Sequence, residues 1–430
     1  VESPLVRGGL TIIAGVLTGN ALGVLRVALM AYLLGTHSQA DALAVAIGPM
    51  DTLNYLLINS MVFAFVPMLT ARTGAERVAL FRKLNRGFAW VFTFVALAVF
   101  FSAPWLMRAM APGLAAQSFA TAVGLLRVLS FSTLAAGSAA VYCALLYTDR
   151  RFAPAAFYQA ALNACTIVIA LGLWKVLGVY AFAAGYTAGA CVQFGIVYFA
   201  ARRDLSAPSA PYCAIRWREI LSKPAFFVIY AAGLSLNLTF TRAYATHVGA
   251  GMAAALDYSM RGVGVPMALL VNPVSNSLLP EIARLRSLAR LRDAFRLIDR
   301  TVALAALAVV LGCGFALLFR TPAIALFFER GSFTAESTGL VSAVYLGMGP
   351  SLLGWSLMEI TSRSLFALDR PWPPMIASFI PLIINVAVTL RLQSRRPEFI
   401  GLGATVGLLF GFLALFVMAR TRRSEWMREC

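Results

Sequence analysis

Val66-Pro67-Met68-Leu69-Thr70-Ala71-Arg72 and Leu279-Pro280-Glu281-Ile282-Ala283-Arg284 close two long apolar stretches in the same manner, with a proline near the end and an arginine just beyond it. A few residues later, Phe81-Arg82-Lys83-Leu84-Asn85-Arg86 is answered by Phe295-Arg296-Leu297-Ile298-Asp299-Arg300. Asp149-Arg150 ahead of one proline is answered by Asp369-Arg370 ahead of another. The three pairs stand 213, 214 and 220 residues apart, so they agree on nearly one offset. A duplicated apolar chain of this length has the signature of a transporter, with its substrate site expected between the repeats.

Composition supports that reading. The 430-residue chain is 60% hydrophobic and only 13% charged, far from the balance of a soluble domain. Many apolar runs reach the ~20 residues that a helix needs to cross a bilayer. The first begins within ten residues of Val1 and outlasts the roughly 7–15-residue apolar core of a signal peptide, so it is read as a retained span. The fold expected is all-α, with about twelve membrane-spanning helices at roughly 8–34, 41–70, 87–107, 118–146, 153–174, 178–201, 222–246, 253–280, 301–319, 337–366, 373–390 and 400–419.

The net charge of +18 would point to nucleic acid in a soluble protein, but its distribution here is a topology signal. With both termini cytoplasmic, 25 of the 36 Lys and Arg fall on the inner side. Membrane lipids with anionic headgroups are the second expected contact, and no nucleic-acid partner is expected. Arg391, Arg395 and Arg396 depart from the pattern on the predicted outer side, so either that loop binds an anion or the eleventh span is misplaced.

Residues 1–202 form a first six-span lobe, 203–221 a cytoplasmic linker with Ser, Ala and Pro turn chemistry, and 222–430 a second lobe with a short basic tail. Six is even, so the repeats are related by an axis along the membrane normal. The segment 281–300 carries apolar residues at helical spacing among six arginines and is expected on the cytoplasmic interface. Gly403, Gly407 and Gly411, like Gly185 and Gly189, recur every four residues, a spacing that lets helices approach closely. Six cysteines without paired spacing are expected as free thiols, and His37 and His247 as interfacial residues rather than metal ligands.

Several stretches carry a resemblance. Ala21-Leu22-Gly23-Val24-Leu25-Arg26, Ala40-Asp41-Ala42-Leu43-Ala44-Val45-Ala46 and Ala64-Phe65-Val66-Pro67 are similar to the opening of the MviN/MurJ lipid II flippases. Tyr258-Ser259-Met260-Arg261 with Pro266 and Leu278-Leu279-Pro280 resembles that family's eighth span. Leu326-Phe327-Phe328-Glu329-Arg330-Gly331-Ser332-Phe333-Thr334 resembles its loop into the tenth. The similarity runs in order from about residue 8 to 390. It implies two six-helix lobes, as in the larger superfamily of multidrug and oligosaccharidyl-lipid exporters, and transport of lipid II in the bacterial inner membrane. The chain carries Asn20 where the family commonly has an arginine. It carries Leu53, Asn54 and Ile58 where the family commonly has an Arg-Arg pair and a glutamate. Asn20 and Asn54 are carried over as substrate-binding positions.

Apart from Arg363 at the cytoplasmic end of the tenth span, four arginines fall within the predicted spans: Arg26, Arg127, Arg242 and Arg261. A central membrane arginine costs about 2.5–3.5 kcal/mol on insertion scales, so each needs a partner or a wet cavity. Arg26 and Arg261 match family arginines implicated in holding the pyrophosphate, a task suited to a planar guanidinium that engages phosphate oxygens with two parallel donors. The alternative is a buried ion pair locking helices, for which Asp257, four residues before Arg261, is the expected partner. Arg127 and Arg242 lie near outer span ends, where snorkelling to headgroups is expected.

Asp41, Asp51, Asp257 and Glu359 are the carboxylates in or beside spans, and are candidates for a gate or for ion coupling. Asp51 is closest to midplane; its structural alternative is a bond to Asn54 or a neighbouring helix. Asp41 matches a family gate residue, with a helix N-terminal role as the alternative. Asn237 and Asn385 are weak sodium candidates. No phosphate-binding glycine loop, metal cluster or nucleophile–histidine arrangement occurs, so no enzyme activity and no cofactor are expected. The driving force is then sought in H+ or Na+ gradients, membrane potential or product removal. The reading is a flippase moving an undecaprenyl-pyrophosphate-linked glycan, lipid II by resemblance, to the outer leaflet by alternating access. Two other readings stay open. One is a flippase for another lipid-linked oligosaccharide. The other is a transport-dead scaffold that recruits envelope-synthesis proteins.

Overall fold

The computed structural model describes residues 4–149, 151–202, 205 and 217–427. Arg150, Cys213, Cys430 and most of the 203–221 linker lie outside the described residues. The chain forms two compact units, one of Val1–Leu34 with Ser38–Val228 and one of Gly35–His37 with Ile229–Cys430.

The first unit holds α1 (Pro4–Leu34), α2 (Ser38–Thr70), α3 (Gly74–Met110), α4 (Ala116–Thr148), α5 (Phe152–Leu177), α6 (Tyr180–Ala201) and the start of α7 (Trp217–Val248). Helix α4 is its enclosed member, because Ala135, Ala136, Gly137, Ala139 and Ala140 let its neighbours approach. At Gly137 a Cβ atom would fall 2.6 Å from the Phe92 ring. Aromatic edges fill the core beside it, with Phe81 and Tyr142 4.9 Å apart and Phe65 and Phe88 5.1 Å apart. Trp90, Phe94, Leu97, Phe101 and Trp105, three to four residues apart along α3, are all exposed. Such an apolar stripe would be untenable in water and is the outward face that lipid requires. The protein is therefore a multi-pass membrane protein.

The second unit continues α7 and adds α8 (Met252–Pro266), a π-turn at Met267–Val271, α9 (Asn272–Ser287), α10 (Leu291–Leu318), α11 (Arg320–Phe328), α12 (Ala335–Met348) and α13 (Ser351–Ala367). It ends with α14 (Trp372–Ala377), α15 (Ile380–Leu392), a 3-10 turn at Pro397–Phe399, α16 (Leu402–Thr421) and α17 (Arg423–Trp426). Arg423 pairs with Asp299 and lies 4.7 Å above the Phe295 ring; Trp426 stacks on Phe295 and Arg370 lies over Trp426. This layered stack fastens the chain end to α10.

Among the described residues, nine helices are long and apolar enough to cross a membrane, or ten if α12 and α13, bent by 46°, are one span. The expected eighth span, 253–280, is not one uninterrupted α-helix. Pro266 lacks the N–H that would continue the ladder, and the chain widens into the π-turn before α9 resumes. The expected tenth span bends at Gly349-Pro350 for the same reason. The expected interfacial helix over 281–300 is instead the end of α9 and the start of α10, joined by a turn in which Ala289 has φ +55°. Its apolar residues Ile282, Leu285, Leu291 and Phe295 are buried in the core of the unit, and only Leu288 points outward. Of the cysteines, Cys143, Cys165, Cys191 and Cys313 are free thiols; Cys143 and Cys313 are buried and Cys191 is exposed.

Gly35 adopts φ +54°, and a Cβ there would collide with the Ser332 carbonyl oxygen. Around it, the Tyr258 hydroxyl donates to the Gly35 carbonyl at 2.9 Å and the Thr36 and Ser337 hydroxyls lie 2.8 Å apart. Gly35→Ala adds a backbone clash to the roughly 1–3 kcal/mol cost of left-handed φ. Gly74, also at φ +55° but with open space around it, carries the φ cost alone. Thermal unfolding in detergent is expected to fall further for Gly35→Ala than for Gly74→Ala.

Candidate functional site

In the first unit, α1, α2, α4 and α6 bring one polar cluster together. Arg26, 3% exposed, places Nη2 3.4 Å from Asp51 Oδ2, and its guanidinium lies 5.6 Å from the centre of the Tyr186 ring. The Tyr186 hydroxyl donates to Asp51 Oδ1 at 2.6 Å. Asn54, one turn after Asp51, donates to Tyr186 at 3.2 Å and to Ser132 at 3.4 Å. Asp51 thus bonds neighbouring helices through Tyr186 and Arg26. Arg26 Nε and Nη1 are buried without a hydrogen-bond partner, and so is Asn20 Nδ2 on the same helix. Buried guanidinium donors with nothing to donate to are costly, so this is a cation built with spare capacity. Asp41 is buried in the first turn of α2, where the helix dipole favours a carboxylate. Arg127 is exposed, with its guanidinium 5.5 Å from the Phe100 ring centre.

Tyr186→Phe removes the donor to Asp51 and the acceptor of Asn54. A loss of roughly 1–3 kcal/mol is expected, readable as a lower unfolding temperature than that of a lipid-facing control such as Phe94→Leu.

In the second unit the expected Asp257–Arg261 pair is present but is not the tighter one. Asp257 Oδ1 accepts from Arg242 at 3.1 Å, whereas Oδ2 lies 3.9 Å from Arg261. The snorkelling expected of Arg242 is overturned. Arg242 is 8% exposed, because α7 turns it inward to the buried Asp257 carboxylate on α8, for which it is the nearer of two cations. Arg261 keeps about a third of its side chain exposed.

Glu359 lies apart from Asp257, on α13, and accepts from Arg363 Nε at 2.6 Å and from the Tyr230 hydroxyl at 3.3 Å. Asn237 and Asn385 meet, as sodium ligands would, but with the wrong chemistry. Asn385 Nδ2 donates to Asn237 Oδ1 and Thr241 Oγ1, both at 2.8 Å, and lies 3.4 Å from the Asn237 carbonyl. A backbone carbonyl can only accept, so the amide must present its nitrogen there. Donors occupy the oxygens that a cation would need, and the cluster is a clasp between α7 and α15.

Residues 30–428 match the family described as "Lipid II flippase MurJ". The chain belongs to the lipid II flippase MurJ family. Lipid II flippase MurJ of Burkholderia cenocepacia is 27% identical over 448 residues, covering 96% of this chain and 84% of that protein. A probable lipid II flippase MurJ of Rhizobium meliloti is 27% identical, covering 99% and 82%. A solved lipid II flippase MurJ in an inward closed conformation superposes with a TM-score of 0.81 at 20% identity, covering 96% of this chain and 87% of that one. An inward-facing multidrug resistance MATE family transporter of the MOP superfamily reaches 0.81 at 14%, covering 95% and 96%. These structural likenesses establish the fold.

Within this MurJ-family fold, Tyr186, Ser132, Tyr230 and Arg363 are the site members that sequence reasoning missed. A tyrosine in an apolar span looks like core or interface. The available signal was that Tyr186 and Tyr230 each sit in a span without being at its end, where a hydroxyl must find a buried partner.

Proposed function

We propose that this chain translocates an undecaprenyl-pyrophosphate-linked glycan, lipid II, from the inner to the outer leaflet of the bacterial cytoplasmic membrane by alternating access, with both termini cytoplasmic. The observation that carries the reading is Arg26, a buried guanidinium with two donor nitrogens unspent inside a chain of this family. Diphosphate oxygens are the complement of such a group. Arg26 and Arg261 are assigned to the diphosphate, and the polyprenyl tail stays in lipid. Membrane potential, negative inside, favours outward movement of the anionic headgroup by ~2.3 kcal/mol per charge per 100 mV if the full field is crossed. Where proton coupling operates, Asp51 is its assigned carboxylate, since it is the intramembrane acid in contact with Arg26. Sodium is not assigned to Asn237 and Asn385, for the reason given above. Envelope-synthesis proteins are the expected protein partners.

A second reading, a flippase for another lipid-linked oligosaccharide, is favoured by Asn54. With Leu53 it stands where the family commonly carries an arginine pair, and its amide is spent on Tyr186 and Ser132. Complementation of a conditional lipid II flippase knockout, with membrane expression confirmed, separates the two. Rescue is the expected result; its absence in well-expressing cells transfers the assignment to another lipid-linked glycan.

A further inference from the structure

Arg391, Arg395 and Arg396 ran against the charge bias that orients the rest of the chain, and the fold returns them to a membrane surface. Trp372–Leu392 and Pro397–Thr421 are each long and apolar enough to cross a membrane, so the chain turns between them within residues 393–396. The expected eleventh span is therefore in place, and the three arginines stand where it ends. All three are exposed. Among the described residues none of them makes a side-chain hydrogen bond or ion pair. Glu398 is the only carboxylate between Arg391 and Leu402, and its Oε2 is buried. The far end of α16, about 30 Å away at ~1.5 Å per residue, is built differently. There Arg423 pairs with Asp299, Arg286 with Asp369 at 3.1 Å and Arg290 with Asp293 at 2.8 Å. Carboxylates answer the arginines at that end and not at this one.

The loop that carries the three charges is fixed from several sides. Gln393 takes φ +41°, and its N–H closes α15 on the Thr389 carbonyl at 3.0 Å. Tyr244 of α7 donates its hydroxyl to the Ser394 carbonyl at 2.6 Å, and the Arg396 N–H donates to Ser394 Oγ at 3.3 Å. Ile400 is buried, and a Cβ on Gly347 of α12 would collide with the Glu398 carbonyl oxygen. A backbone already ordered leaves only side chains to be immobilised around an anion.

We propose that the α15–α16 loop is a receiving site for the product: Arg391, Arg395 and Arg396 hold the diphosphate of the lipid-linked glycan at the outer membrane surface as it leaves. This rests on the function and orientation proposed above. Charge favours that occupant over a phospholipid. A diphosphate carries more charge than the single phosphate of phosphatidylglycerol, and guanidinium groups take phosphate oxygens in pairs. Leu390 and Leu392, exposed beside the arginines, adjoin the lipid in which a polyprenyl tail would lie. Exposed side chains hold an anion weakly and in a salt-sensitive way, as release requires.

The test measures binding of undecaprenyl diphosphate to the full chain in phosphatidylcholine nanodiscs, in an Arg26→Ala/Arg261→Ala background that removes the internal clamp. Binding is expected to persist there at reduced affinity and to weaken with added salt. Adding Arg391→Gln, Arg395→Gln and Arg396→Gln is expected to weaken it by a further factor of roughly ten or more. Arg292→Gln/Arg296→Gln/Arg300→Gln removes equal charge from an exposed face of α10 and is expected to leave binding within about threefold. No binding in the background, no further loss in the loop variant, or equal loss from both triple variants overturns the proposal. Equal competition by phosphatidylglycerol reassigns the loop to phospholipid headgroups and overturns the product as its occupant. Undiminished affinity in the background, followed by loss in the loop variant, removes the Arg26–Arg261 clamp and leaves the loop site standing. No binding by the parent chain overturns the proposed function together with the loop site. In intact cells, Arg395→Cys is expected to react with a membrane-impermeant maleimide beyond the level of the parent chain. Labelling only after permeabilisation overturns the outer placement and with it the receiving role.

Discussion

Arg26→Ala and Arg261→Ala are each expected to abolish rescue of a conditional lipid II flippase knockout while the protein still accumulates, folded, in the membrane. The two halves of that expectation have separate physical grounds. Loss of function follows from the donors removed. Each charge-assisted hydrogen bond to a diphosphate is worth about 1.5–3 kcal/mol, so losing a two-pronged contact lowers affinity by two orders of magnitude or more. Retention of the fold follows from what is left behind. Without Arg26, Asp51 keeps the Tyr186 hydroxyl at 2.6 Å and has a third of its side chain exposed, so no carboxylate is stranded in the core. Without Arg261, Asp257 keeps Arg242. Removing Arg242 alone would be different in kind, since it takes the nearer cation from a buried acid and leaves Arg261 at 3.9 Å. Full rescue by both alanine variants would end the diphosphate-clamp reading and revive the scaffold alternative.

Gly407→Leu is expected to have the largest effect on stability. Along α16, Gly403, Gly407 and Gly411 form a smooth strip over which α15 and α14 lie. A Cβ at Gly407 would collide with the Pro381 carbonyl oxygen, and one at Gly411 would fall 2.8 Å from Pro381 Cγ. A side chain can rotate away, but a backbone oxygen cannot without moving its helix. Overpacking of this sort costs about 1–3 kcal/mol and sometimes more. At Gly403 the obstacle is the Asn385 amide, so a substitution there also disturbs the Asn237–Asn385 clasp. Unfolding temperature and size-exclusion profile in detergent should both deteriorate for Gly407→Leu. At Gly312 or Gly314, where nothing lies within 4 Å of a Cβ, the same change should be tolerated.

The strip was legible in advance, because a four-residue repeat of glycine on a helix has one steric meaning whatever it packs against. The helix ends were less so. The end of α8 at Pro266 could be read as a proline, but the π-turn that follows has no residue signature of its own. The run 281–300 had the periodicity of an interfacial helix, and the structure divides it between α9 and α10. Periodicity records that one face is apolar, not whether that face meets lipid or protein, and here it meets the core of the unit.

Chemistry divides along the same line. That this is an all-α membrane chain of the lipid II flippase MurJ family, with cations placed inside spans, follows from the order of its residues. A bilayer allows few solutions for long apolar runs, and a buried charge announces itself in any such run. Which group each charge answers to was settled by folding. Arg242 looked like a headgroup anchor until α7 and α8 brought it to Asp257, and Tyr186 drew no notice until α6 carried it to Asp51, 135 residues away in the chain. A helix's period says which residues share its face. It says nothing about which helix comes to lie against that face, and the partners of these buried groups are a property of that contact.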